Sequence, residues 1–181
     1  MHRNFSFLLT PRAFTRREKT CIRQDVKRFQ KISRDHGCAT FEDYAEFVYE
    51  RTRRDDEGHL TQKSFELFRG LGAFFGDQLL DETTMSRGTA NVEKDESPEA
   101  LAHLIVANYP GWLLVDHLTG QSVVIPFIMS QRIFTSNYWS ASLDDIFDEI
   151  VDWNHGYLTV DEVQTPWIAG PDLEAVNLWA A

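Results

Sequence analysis

The sequence predicts an α+β fold: N-terminal helices packed on a small antiparallel sheet (hairpin about 112–125), with further helices. Three observations carry this expectation. Apolar residues recur at three- and four-residue steps through most of the first 81 positions, the period of one helix face. Two runs rich in Val, Ile, Leu and Trp, Trp112–His117 and Gln121–Ile125, are joined through Leu118-Thr119-Gly120, which is hairpin composition and turn chemistry. Helical patterns then resume after the hairpin, so helices and strands are segregated rather than alternating.

The first helix is expected from about Thr15 to His36, with Cys21, Ile22, Val26, Phe29 and Ile32 on its apolar side and Gly37 as its stop. Thr40 caps a second helix, with Asp43 three residues on as an imperfect capping box. Phe41, Tyr44, Ala45, Phe47 and Val48 form its apolar side, and the charged stretch RTRRDDEGH ends it. A third helix runs from about Thr61 to Leu80 or Asp81, with Phe65, Phe68, Leu71, Gly72, Phe75, Gly76 and Leu79 in one broad stripe. The polar segment DETTMSRGTANVEKDES reads as an exposed loop. Ser97-Pro98-Glu99 opens a short helix that ends at Pro110-Gly111, and Pro126 opens another over FIMSQRIF. Ser142 caps LDDIFDEIVDW, where Asp144 and Asp145 in the first turn complement the helix dipole. The remainder from Gly156 is expected to be mostly irregular, with strand-like pieces such as YLTV.

A length of 181 residues suits one domain with a real core. Within it we distinguish a helical N-terminal segment (1–60), an α+β core (61–152) and a Trp-rich tail (153–181). No apolar run reaches the roughly 18 residues that span a bilayer. The start, MHRNFSFLLTPRAFTRR, has only FSFLL as an apolar run and no small-residue cleavage site, so a mature N-terminus and a cytoplasmic location are expected. Cys21 and Cys38 are too few for a disulfide framework and read as free thiols. His36 beside Cys38 suggests zinc, but the paired ligand spacings are missing. No metal or cofactor is expected.

Charge divides the chain. Residues 1–54 hold 13 Lys/Arg and 7 Asp/Glu, whereas 55–181 hold 5 and 21, within a net charge of −10. No lysine or arginine follows Arg132, while nine acidic residues do, from Asp144 to Glu174. Such asymmetry either keeps a solvated surface soluble or offers a docking face to a basic partner. Nucleic acid is disfavoured as a partner, because the acidic part repels phosphates and the basic part lacks interleaved aromatics.

Catalytic patterns are weak. RRDDEGHLTQKS and VDWNHGYLTVDE place Gly58 and Gly156 where a calcium loop needs glycine. Their first ligand positions, however, fall on Arg53 and Val151. There is no G-x-S-x-G elbow, and Gly70, Gly72 and Gly76 lie inside a helix rather than between a strand and a helix. Asp116 and His117 adjoin at the hairpin end, where neighbours on a strand point to opposite faces. Asp77 and Asp81 share a helix face with no histidine at ligand spacing. In contrast, Trp139, Trp153, Trp167 and Trp179 all fall in the last 43 residues, near the acidic groups. Aromatic anchors in an acidic rim are the composition of a protein-binding surface, with core packing the alternative for each tryptophan.

Gly72 and Gly76 together cost helix α-propensity of roughly 1.5–2 kcal/mol. Four apart, they lie on the face of Phe68, Leu71, Phe75 and Leu79, and the expected compensation is close approach of the Trp112–Ile125 hairpin. FRGLGAFFGDQLL followed by GWLLVDHLTGQSVVIPFIMSQRI resembles the bacterial domain of unknown function 3806 family over about residues 61–152. Leu71, Gly72, Phe75, Gly76, Trp112, Pro126, Phe127 and Arg132 carry the likeness. The chain departs from the family pattern by inserting 82–110 and by its tryptophan-rich tail. The resemblance implies no activity.

These readings converge on a non-enzymatic, cytoplasmic bacterial binding protein. Most concretely, the expectation is an immunity protein that neutralises a basic toxin or effector domain, such as a nuclease, through an acidic aromatic surface. The candidate binding residues are Asp144, Asp145, Asp148, Glu149, Asp152, Trp139 and Trp153. The alternatives are an enzyme with a site near Asp116, His117 and Arg132, and a subunit that dimerises through its helices.

Overall fold

A computed structural model describes residues 14–88, 113–116, 118–119, 121–125, 128–129, 141–159, 162–163 and 168–169. The order of elements is α1 (Arg16–Arg34), α2 (Phe41–Arg51), α3 (Gln62–Glu82), β1 (Ser86–Gly88), β2 (Leu113–Val115), β3 (Ser122–Val124), α4 (Leu143–Asn154) and β4 (Ile168–Ala169). The fold is α+β, as the sequence predicts.

Each helix begins where its cap is written. Thr15, Thr40 and Ser142 each accept from the backbone N–H three residues on, and Glu18, Asp43 and Asp145 reach back to the capping residue's own N–H. Asp43 therefore completes a full capping box despite its shorter side chain. Thr61 caps α3 through the Ser64 N–H. Gly37 stops α1 at φ 75°, a left-handed conformation that costs glycine little. There Gly37 N–H donates to Arg34 O and Cys38 N–H to Ser33 O, which satisfies the last carbonyls of the helix.

α3 is the central element. From Leu67 to Gly76 every residue but Arg69 is buried, so the single stripe seen in the sequence is in fact a wrapped helix. α1 packs on α3, and α4 packs on both α2 and α3. Phe41 of α2 joins these helices: its ring lies 5.8 Å from Phe74 and 5.0 Å from Phe75, and it stacks on Phe147 of α4 at 4.9 Å. Phe29 of α1 completes the cluster at 6.0 Å from Phe74 and 5.7 Å from Tyr44. One core cluster takes buried residues from α1 through α4 together with Leu114, Val123, Ile125, Ile128 and Met129. The 1–60 segment thus contributes Ile22, Val26, Phe29, Ala45, Phe47 and Val48 to the same core as the rest.

The close approach at a glycine is displayed at Gly70. A Cβ there would lie 3.0 Å from Phe29 Cβ and 3.1 Å from Phe29 Cδ2. The absent side chain admits α1. Gly72 and Gly76 are also buried, whereas Trp112, Pro126 and Phe127 lie outside the described residues. A second tie between α1 and α3 is the ion pair of buried Asp25 with Arg69, at 3.0 Å.

The strands form an antiparallel sheet in the order β1-β2-β3-β4, with the hairpin at its centre and Leu114 opposite Val123. Leu114 and Val115 are both buried although neighbours on a strand face opposite ways, so both faces of β2 are covered. Two expectations need correction. Ser86–Gly88 is a strand rather than exposed loop, pairing with Leu113–Val115. Its sequence, Ser-Arg-Gly, has no β signal. The backbone ladder and the Arg87–Asp77 contact at 2.9 Å hold it. The expected irregular tail likewise contributes β4, a two-residue edge strand paired with β3. Cys21, assigned to the apolar side of α1, is exposed. The expected helix over 97–109 lies outside the described residues.

Candidate protein-binding face

α4 positions the acidic residues. Its apolar side is Leu143, Ile146, Ile150 and Trp153, spaced three, four and three residues apart and all buried. That fixes the outward side, where Asp145, Asp148 and Asp152 are exposed at spacings of three and four. Glu149 is half-buried at the edge of this row. The helix contains no basic residue. Asp145 accepts from the Ser142 N–H at 3.0 Å and from its hydroxyl at 2.9 Å. Those bonds, the backbone one first, hold its carboxyl below the usual aspartate range, so it is charged throughout neutral pH.

The end of the row is shaped by Gly156, at φ 79°. Gly156 N–H donates to Trp153 O at 3.0 Å and Tyr157 N–H to Asp152 O at 2.8 Å, a paired closure of the last turn. It leaves Tyr157 76% exposed just beyond the acids, with its ring edge-on to His155 at 6.0 Å. The sequence reading missed Tyr157, although the glycine before it was the available signal.

Asp144 does other work. Its two carboxylate oxygens accept from Phe41 N–H at 2.9 Å and Glu42 N–H at 3.0 Å, at the start of α2. In return Glu42 accepts from Leu143 N–H at 3.0 Å. Two helix N-termini face each other, and each lends an acid to the other's unpaired amides, where the dipoles favour negative charge. Asp144 is therefore a tertiary lock between α2 and α4 rather than part of an open face. Trp153 is also reassigned: 6% exposed, it belongs to the core. Its place on the stripe of Leu143, Ile146 and Ile150 was legible in the sequence. Trp139, Trp167 and Trp179 lie outside the described residues.

Asp116, a candidate for the enzymatic alternative, is 4% exposed. It accepts from Leu118 N–H at 3.2 Å, Thr119 N–H at 3.2 Å and the Thr119 hydroxyl at 2.6 Å. That carboxylate organises the hairpin turn. His117 and Arg132 lie outside the described residues. Cys21 and Cys38 are set at the two ends of α1, since Cys21 to Arg34 alone is a rise of about 20 Å, so they share no site. Among the described residues no group of three His, Cys, Asp or Glu is placed to hold a metal, and no helix is long and apolar enough to cross a membrane.

The chain is thus an α+β protein with an acidic, tyrosine-ended helix face. No family model matches it, and neither does any curated protein or solved structure.

Proposed function

We propose that this is a non-enzymatic binding protein whose α4 face docks a basic protein domain. The most concrete form is an immunity protein that covers a cationic toxin or effector, such as a nuclease. The observation that carries the reading is the exposed row Asp145, Asp148 and Asp152 with exposed Tyr157 at its end. A row of exposed carboxylates steers a cationic partner and raises the association rate. An exposed tyrosine adds the kind of contact area that typically dominates interface energy. Placement on a helix whose opposite side is locked into the core means that little ordering is needed on binding.

The test is a triple variant, Asp148→Lys, Glu149→Lys and Asp152→Lys, which leaves the Ser142–Asp145 cap intact. Affinity capture from the native host, followed by identification of the retained proteins, should return a basic protein held by the wild type and lost by the variant. With that partner purified, Tyr157→Ala should weaken binding by at least about tenfold if it is an anchor. Equal affinity of the triple variant and the wild type for the captured partner would sink this assignment.

A further inference from the structure

The opposite charge is gathered as tightly. α1 carries eight basic residues and two acidic ones, and all eight basic residues are exposed. Six of them, Arg16, Lys19, Arg23, Lys27, Lys31 and Arg34, follow one another at steps of three and four residues. They form one continuous exposed stripe along the helix, flanking the buried row of Ile22, Val26 and Phe29. Among the described residues none of the six is in an ion pair. Like charges at these spacings repel and weaken a helix, so the stripe is a standing cost that an external polyanion relieves.

We infer that the outer face of α1 binds the phosphate backbone of double-stranded nucleic acid, without sequence preference. From Arg16 to Arg34 the stripe runs about 27 Å, which matches about eight base pairs at 3.4 Å each. The exposed residues of α1 include no aromatic or aliphatic side chain. Base stacking on single strands needs aromatics, and insertion into a bilayer needs an apolar side; the apolar side of α1 is spent on α3. What remains is a line of point charges, the requirement for backbone contact alone.

The expectation against nucleic acid weighed the charge of the whole chain. Phosphates respond instead to the local field, which decays within a Debye length of about 8 Å at physiological salt. α1 packs on α3, whereas α4 packs on α2 and α3. This inference is independent of the proposed function and fails or stands apart from it.

The experiment is fluorescence anisotropy of the full chain with a labelled mixed-sequence duplex of about 30 base pairs, alongside flotation with vesicles rich in anionic lipid. With six phosphates contacted, raising salt from 50 to 200 mM should weaken duplex binding about 10³-fold. The triple variant Arg23→Gln, Lys27→Gln, Lys31→Gln should bind more weakly at 50 mM and lose only about 40-fold over the same range. Thermal melting confirms that the variant is folded, and Lys27→Gln alone, which should lower the salt slope by about one, repeats the test with minimal change. Absence of duplex binding at 50 mM, a salt slope unaltered by the triple variant, or binding to vesicles but not to duplex would each overturn the inference.

Discussion

Gly70 shows how one missing side chain sets the distance between two helices. A glycine inside a helix costs about 1 kcal/mol relative to alanine, so Gly70→Ala should stabilise the protein on propensity alone. The new methyl, however, would meet Phe29 Cβ at 3.0 Å. Phe29 cannot yield, because its Cβ is fixed to the backbone of α1 and its ring is packed against Phe74 and Tyr44. Gly70→Ala is therefore expected to lower Tm, and a rise in Tm on melting would show that α1 shifts freely. The sequence drew attention to Gly72 and Gly76 because they share the phenylalanine stripe. It gave no reason to single out Gly70, since nothing local says which helix face the first helix will meet.

Among elements, the decisive feature is the exchange of acids between the starts of α2 and α4. Asp144 accepts two backbone N–H groups of a helix 102 and 103 residues away. Asp144→Ala leaves both amides without that partner and removes a charge from a helix N-terminus. The expected loss is about 2 kcal/mol in denaturant unfolding. Asp144→Asn keeps the shape but loses the charge and one acceptor oxygen, so it should fall between alanine and wild type. A variant as stable as wild type would show that the lock is dispensable. The helix starts themselves were legible: Thr40 and Ser142 by their capping chemistry, Thr15 and Thr61 as approximate starts of an apolar period, and all four cap their helices. The lock was not legible, because an acid in the first turn of a helix looks the same whether it serves its own amides or those of a neighbour.

For the whole molecule, acid should act through the caps. Asp43, Asp145 and Glu162 all have carboxyl groups held below their ordinary values, first by the backbone N–H of a threonine or serine three residues earlier. A depressed folded-state value means the folded protein holds its proton less tightly than the unfolded chain. The stabilisation is thus fully present above the unfolded values of 3.8 for aspartate and 4.5 for glutamate, and is lost as pH falls below them. Tm should be nearly flat from pH 7 to about 5 and decline below about 4. In Asp43→Asn with Asp145→Asn that acid decline should be shallower, and an identical pH profile would remove the caps from the explanation.

The division of charge at this scale was visible in composition, but composition could not say that the cations share one stripe on α1 while the anions line α4. The sequence by itself determined the four described helices, the caps at Thr40 and Ser142, the central hairpin, the α+β class and the two charged halves. All of these follow from periodicity and from chemistry within about four residues along the chain. Only the tertiary structure decided that Asp144 is spent on α2 and that Ser86–Gly88 and Ile168–Ala169 complete the sheet. In each case the deciding partner is distant in sequence and is not encoded by a residue's immediate neighbours.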